Sequence, residues 1–335
     1  MSEGSGPSPL VRRSLSCSFV VLACAFVWAA APVLLPLALL VDLGIRRRFV
    51  LARTYVMVMV ALICESVGVA VALTLELALA LGVDRQRVLA RSFQIQCLWV
   101  AALARSAFAI FSVRLEVEGA EAIGDGPLLV FMRHASTADA LLPGLLISGP
   151  RGIVLRYVLK HELLWDPCLD LVGNQLENYF VQRGVGSEQE IEGVARLADN
   201  LGREGVLIYP EGTRFGLRKR ARILEKLEAA GDERGVAQVR ALTHVLPPRH
   251  GGPLALLERG RGVDVLFCAH TGLEGTVSFA SLLRGQLIGT VIRVRFWRVP
   301  AREIPEGRDD RIVWLHGQWE QVNGFVAAQD SGDGS

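Results

Sequence analysis

The stretch Leu128-Leu129-Val130-Phe131-Met132-Arg133-His134-Ala135-Ser136-Thr137-Ala138-Asp139 is the part of this sequence best suited to proton chemistry. Five apolar residues read as a buried strand. A histidine follows almost at once, and an aspartate stands five residues later, where a helix would begin. A carboxylate in that place can hold one imidazole nitrogen and leave the other to accept a proton. The spacing alone is weak, since a surface histidine beside a helix-capping aspartate gives the same pattern. Two further stretches are suited to an anion. Tyr209-Pro210-Glu211-Gly212-Thr213-Arg214 follows the apolar run Gly205–Ile208. Its glycine permits close backbone approach, and its hydroxyl and guanidinium both donate hydrogen bonds. A turn closed by a Glu211–Arg214 ion pair is the plainer reading. Phe180-Val181-Gln182-Arg183 offers another guanidinium after a strand-like run, although by itself it describes a solvated arginine equally well.

These side chains need a scaffold, and the sequence after residue 113 supplies short apolar runs separated by turn residues. Strands are predicted at Arg114–Val117, Leu128–Met132, Gly152–Val158, Val206–Tyr209, Val263–Ala269 and Val291–Trp297. Helical stretches are predicted at Ala138–Ile147, Glu188–Arg203, Leu217–Arg240 and Arg311–Ala328. Strands alternating with helices indicate an α/β domain.

Composition separates this domain from what precedes it. The 335 residues are 51% hydrophobic and 21% charged, where a soluble domain carries about 25% charged residues. The deficit is local: residues 1–113 hold 10 basic and 5 acidic residues, and residues 114–335 hold 26 and 29. Ser14–Val41 contains no charge and lies between Arg12-Arg13 and Arg46-Arg47-Arg48. It is long enough to cross a bilayer and too long for the core of a signal peptide. Thr54–Val83 is a second such stretch, interrupted only by Glu65 and Glu76. Two simple crossings would put the two arginine flanks on opposite faces, against the positive-inside rule. A re-entrant hairpin broken near Pro32–Pro36 would keep both on the cytoplasmic face, and this is the favoured arrangement. A more amphipathic stretch, Phe93–Phe111, is expected to lie along the interface. The organisation expected is thus a membrane-anchoring helical region (1–91), an interfacial linker helix (92–113), an α/β domain (114–328) and a disordered tail (329–335).

Several chemistries have no anchor. The sequence holds no G-x-S-x-G elbow, no GxGxxG after a strand, no P-loop and no HExxH. The six cysteines form no CxxC or Cys/His cluster, so neither a disulfide framework nor a zinc site is indicated. No basic stripe interleaved with aromatics suggests nucleic acid. Lysine is nearly absent, with 33 of 36 basic residues being arginine, which base composition explains. Arginine does, however, supply the fork geometry that suits phosphate.

Taken together and in this order, the three motifs resemble the glycerolipid acyltransferase family, whose best-known members are 1-acylglycerol-3-phosphate (lysophosphatidic acid) acyltransferases of the PlsC type. The likeness extends to Lys160-His161-Glu162-Leu163-Leu164 with Pro167 and Gly173, and to His244-Val245-Leu246-Pro247-Pro248-Arg249. It implies a mixed sheet flanked by helices, preceded by a membrane-embedded helical segment. It further implies that His134 is the general base and Asp139 its orienting carboxylate. Arg183 and Arg214 would bind the acceptor's phosphate in a pocket shaped by Gly212 and Thr213. Glu211 would position Arg214 or the glycerol hydroxyl, and Lys160 would be a further phosphate contact. The implied substrates are a lysophospholipid and an acyl thioester, carried by coenzyme A or acyl carrier protein, with no resident cofactor or metal and no nucleic acid. The catalytic domain would face the cytoplasm. Arg133 stands where the family usually has Asn, so it would tune His134 or add a phosphate contact. Leu217-Arg218-Lys219-Arg220-Ala221-Arg222 would grip coenzyme A phosphates or anionic headgroups, or else form a solvated helix face. Another lysolipid acceptor, or a non-catalytic membrane lipid-binding role, are the alternatives.

Overall fold

The computed structural model describes residues 7–46, 48–181, 188–276 and 279–332. Among the described residues, seven strands make one mixed sheet: β1 (Arg114–Glu118), β2 (Leu128–Met132), β3 (Leu155–Lys160), β4 (Tyr179–Val181), β5 (Gly205–Ile208), β6 (Asp264–Thr271) and β7 (Val291–Val299). Their order across the sheet is β1-β7-β6-β2-β5-β3-β4. β2 pairs in parallel with both β5 and β6, and β3 pairs in parallel with β5 and β4. β7 runs antiparallel to β6, so β1 and β7 oppose the other five.

β2 is apolar at every position because both of its faces are covered. Its side chains alternate between two cores. Leu129 and Phe131 join Val206, Ile208, Val265 and Phe267 against helix Gly251–Arg259 and the C-terminal helix Arg308–Gly332, which contributes Leu315, Trp319 and Val322. Leu128, Val130 and Met132 face the other way, onto Phe111, Leu142 and Ile147, with Met57 packed at the margin. The N-terminal helices are therefore part of the second core.

Those helices are α1 (Pro9–Gly44), α2 (Val50–Ala80) and α3 (Arg85–Phe111), each long and apolar enough to cross a membrane. α1 and α2 form a hairpin closed by Asp42, whose carboxylate accepts the N–H groups of Leu51 (3.2 Å) and Ala52 (2.9 Å) at the start of α2. α2 then lies along the catalytic domain for most of its length. Near its start, Arg53 donates to the Ile110 carbonyl at 2.6 Å. Further along, Cys168 Sγ donates to the Glu65 carbonyl at 3.4 Å, and Val69 and Ala72 pack on Cys168 and Leu171. α1 covers α2 and presents its own apolar face outward, with Phe19 and Phe26 each 70% exposed. A surface of that kind is matched to lipid.

Several expectations are corrected. Pro32 and Pro36 lie inside α1 and do not break it. Each removes one helical hydrogen bond, but proline's fixed φ is helical and the flanking turns carry the helix through. The helical linker begins at Arg85, ahead of residue 92. The stretch Leu217–Arg240 is two helices, Leu217–Ala229 and Glu233–Ala241. Gly231 adopts φ +68° between them, and Asp232 caps the second through the Gly235 N–H at 2.9 Å. The expected disordered tail from Gln329 is helical as far as Gly332.

Asp170 fastens the hairpin's open end to the domain. It lies on helix Pro167–Gly173, is fully buried, and meets Arg12 Nη2 at 2.9 Å and Arg13 Nε at 3.4 Å. Removing one partner of a buried pair leaves the other charge uncompensated, at about 3–5 kcal/mol. Asp170→Ala is accordingly expected to lower the thermal midpoint of the full chain in detergent by several degrees; an unchanged midpoint would count against this fastening.

Candidate active site

The carboxyl ends of five parallel strands, β2, β3, β4, β5 and β6, share one edge of the sheet, where open α/β sheets hold their ligands. His134 follows β2, Glu211 to Arg214 follow β5, Lys160 ends β3, and His270 lies near the end of β6. Topology alone therefore brings distant parts of the sequence to one place.

At its centre His134 Nδ1 lies 3.2 Å from both carboxylate oxygens of Asp139. Asp139 is fully buried on the helical turn that begins at Ala138. Its Oδ2 also accepts the N–H groups of Ala135 (2.7 Å) and Ser136 (2.8 Å), and Ser136 Oγ accepts those of Ala138 (3.0 Å) and Asp139 (3.3 Å). Burial favours the protonated acid, but the hydrogen bond from His134 and the neighbouring imidazoles outweigh it and hold Asp139 below the ordinary carboxylate range. The Tyr209 ring packs on the His134 ring, with centroids 4.4 Å apart and planes inclined by 31°. With Nδ1–H directed at the carboxylate, Nε2 is the nitrogen able to take a proton.

Glu211 has a different task from the one expected of it. It is buried, with Oε1 accepting the His134 N–H and Oε2 the Leu246 N–H, both at 2.9 Å. Through these bonds it joins two loops. Burial pushes its carboxyl up to about 7, against the lowering effect of those two N–H groups. Gly212 has φ +64°, the left-handed region that favours glycine, and a Cβ there would stand 2.8 Å from Arg249 Nε, which lies close over it. Arg249 reaches it because its N–H donates to the Pro210 carbonyl at 2.8 Å. Arg214 Nη1 donates to Thr137 Oγ1 at 2.8 Å, linking the Glu211–Arg214 turn to the histidine loop. Lys219 Nζ donates to Thr213 Oγ1 at 2.9 Å and to the Arg214 carbonyl at 2.8 Å. Three cationic side chains, Arg214, Lys219 and Arg249, thus gather around Gly212 and Thr213. Lys160 is half-buried at the end of β3, on the far side of β5 from His134. Arg183 lies outside the described residues.

Arg133 is not a phosphate contact. It is 1% exposed, pairs with Glu274, and donates to the carbonyls of His270 (2.5 Å) and His244 (3.1 Å). Among the arginines of the segment 217–222, Arg220 is used internally, donating to the carbonyls of Leu242 (2.8 Å) and Val239 (2.9 Å), whereas Arg218 and Arg222 are exposed. Sequence reasoning missed His270 and Glu274, and it named Lys219 only within the basic run 217–222. The first two become neighbours of the site only through β2–β6 pairing, and no local motif marks them.

A family model described as Acyltransferase matches residues 114–245. That segment is similar to the acyltransferase family. A curated mouse (Mus musculus) protein, 1-acyl-sn-glycerol-3-phosphate acyltransferase epsilon, is 25% identical over 207 residues, covering 58% of this chain and 55% of that protein. The chain thus spans about half the length of that relative. The crystal structure of the 1-acyl-sn-glycerophosphate (LPA) acyltransferase PlsC from Thermotoga maritima matches with a TM-score of 0.53, over 82% of this chain and 97% of that one, at 14% identity. The second likeness is one of fold. The matched segment contains every strand-end residue of the site except His270, Glu274 and the Leu246–Arg249 part of the last block.

The Glu211 environment gives a pH test. Its folded-state value of about 7 lies above the ordinary 4.5, so the folded protein holds this proton longer than the unfolded chain does. Stability from this group is full below pH about 4.5 and is lost as pH rises to about 7, a change on the order of 3 kcal/mol. Glu211→Gln lacks that titration. The stability advantage of the wild type over Glu211→Gln should therefore shrink between pH 5 and pH 8 in denaturant melts; a gap independent of pH would refute it.

Proposed function

We propose that this protein transfers a fatty acyl group from a thioester, acyl-CoA or acyl-acyl carrier protein, to the free hydroxyl of a lysophospholipid. The acceptor we favour is 1-acylglycerol-3-phosphate, giving phosphatidic acid. The observation that carries this reading is the His134–Asp139 contact, which frees Nε2 as a base beside a cluster of cations. His134 removes the hydroxyl proton as that oxygen attacks the thioester carbonyl. The C–S bond breaks, and the imidazolium returns the proton to the departing thiolate. Asp139 fixes the ring and stabilises the imidazolium; such general-base help is worth about 10²–10⁴ in rate. A thioester is already activated, so no acyl-enzyme and no resident cofactor or metal is called for. Burial pushes the thiols of Cys168 and Cys268 well above the range in which a thiolate forms. Arg214 binds the acceptor's phosphate, with Arg183 and Lys160 as further contacts, and Lys219 and Arg249 add positive charge around the pocket floor of Gly212 and Thr213.

The helices have a physical purpose in this reaction. Lifting a lysolipid wholly out of the bilayer costs about 0.8 kcal/mol per exposed CH₂. A catalytic domain whose own core includes lipid-facing helices takes the acceptor where it lies. We further propose that α1 and α2 lie along the membrane with both ends on the cytoplasmic face. At 31 residues α2 is about 46 Å long, and it packs on the domain from Met57 near one end to Ala72 towards the other. A helix standing across the bilayer would carry one of those ends away from the domain.

With labelled acyl-CoA and lysophosphatidic acid, His134→Ala should lose about 10²–10⁴ in rate; transfer at the wild-type rate would refute the base assignment. Arg214→Ala should raise KM most for acceptors bearing a phosphate, and an equal loss with a phosphate-free acceptor would remove its assignment. Topology is read separately in sealed vesicles. Leu10→Cys, Ile45→Cys and Leu81→Cys, in a cysteine-free background, should all react with an impermeant maleimide from one side. Reaction of Ile45→Cys from the opposite side would establish spanning helices instead.

A further inference from the structure

The peptide bond between Arg133 and His134 is held from both sides by buried side chains. The last bond tying this chain to the β2–β6 ladder is from the Arg133 N–H to the Cys268 carbonyl at 3.1 Å. Beyond it the backbone leaves the sheet, and the next peptide group needs other partners. Its N–H donates to Glu211 Oε1 at 2.9 Å, and its carbonyl accepts from His270 Nε2 at 3.0 Å. The same Nε2 stands 3.7 Å from Asp139 Oδ2. A carbonyl can only accept, so the His270 proton must be on Nε2. Its Nδ1 has no hydrogen-bond partner among the described residues, as befits a neutral ring. Burial, the largest influence, lowers the His270 pKa; Arg133 acts the same way, while Asp139 and Glu274 oppose it.

His270 is itself fixed. Its carbonyl accepts from Arg133 Nη1 at 2.5 Å, so residues 133 and 270 exchange side-chain-to-backbone hydrogen bonds in both directions. Glu274 locks the exchange by pairing with Arg133 and accepting the Gly272 N–H at 2.7 Å. This gives the unusual arginine a role: it organises the layer beneath the His134–Asp139 pair.

We propose that His270 is a positioning residue for acyl transfer, whose Nε2–H fixes the plane of the Arg133–His134 peptide and thereby aims the His134 ring at Asp139. The assignment rests on the reading of His134 as the general base. Misplacement of a catalytic group by about 1 Å can cost on the order of 10²-fold.

The test compares His270→Gln with His270→Asn in the full-length protein, in detergent, with acyl-CoA and lysophosphatidic acid. The two amides are alike in polarity. The Gln nitrogen reaches the place of Nε2, whereas the Asn nitrogen falls at the place of Nδ1. His270→Gln is expected to keep kcat within about fivefold, and His270→Asn to lose about 10–100-fold, with KM for both substrates within about twofold of wild type. Equal kcat in the two variants, with His134→Ala inactive, overturns the assignment alone. A loss confined to KM overturns it as well. Full activity in His134→Ala overturns the base reading and this assignment with it.

Discussion

A buried carboxylate with no water to turn to must find its hydrogen bonds within the protein, and Asp139 is the group on which this structure turns. It collects two backbone N–H groups from the loop it closes and an N–H from the His134 ring. Those bonds define the path of residues 134–139, and the same path exposes Thr137 to Arg214. Glu211 and His270 solve the same problem one step back, by holding the peptide that carries His134. The site is thus a nested set of satisfied polar groups, each orienting the one nearer the surface. Its outermost layer is the exposed edge of His134 and the cations around Gly212.

The membrane helices belong to the same construction. α3 delivers Phe111 to the core beneath β2, and Met57 of α2 packs at its margin. Asp42 closes the hairpin at one end, and Asp170 fastens it at the other. The outward apolar face of the hairpin and the loop that carries His134 are thereby both fixed to one packed core. Their separation is fixed by close packing, with no flexible tether between them. The proposed reaction, on an acceptor anchored by its acyl chain, needs that fixed relation.

How much of this was legible in the sequence follows from the range of the interactions involved. β2 was placed at Leu128–Met132 without error because burial on both faces leaves an uninterrupted apolar run. His134 and Asp139 are close in sequence, so their meeting was readable from spacing. Pro32 and Pro36 misled, because a proline's local cost says nothing of the long apolar helix around it. Glu211 was found, but its N–H donors on His134 and Leu246 were not readable, since they lie far away in sequence. The tasks of Arg133 and His270 were invisible for the same reason: their exchange spans 137 residues and exists only because β6 lies beside β2.

In the proposed reaction Asp139 selects the tautomer of His134, leaving Nε2 as the base. Asp139→Asn is the sharpest probe of this, since the amide keeps the size and one acceptor oxygen of the carboxylate but cannot stabilise an imidazolium. In acyl transfer to lysophosphatidic acid, kcat should fall by about 10²–10⁴ with KM nearly unchanged and the fold retained. A kcat within about threefold of wild type in a folded Asp139→Asn enzyme would contradict it.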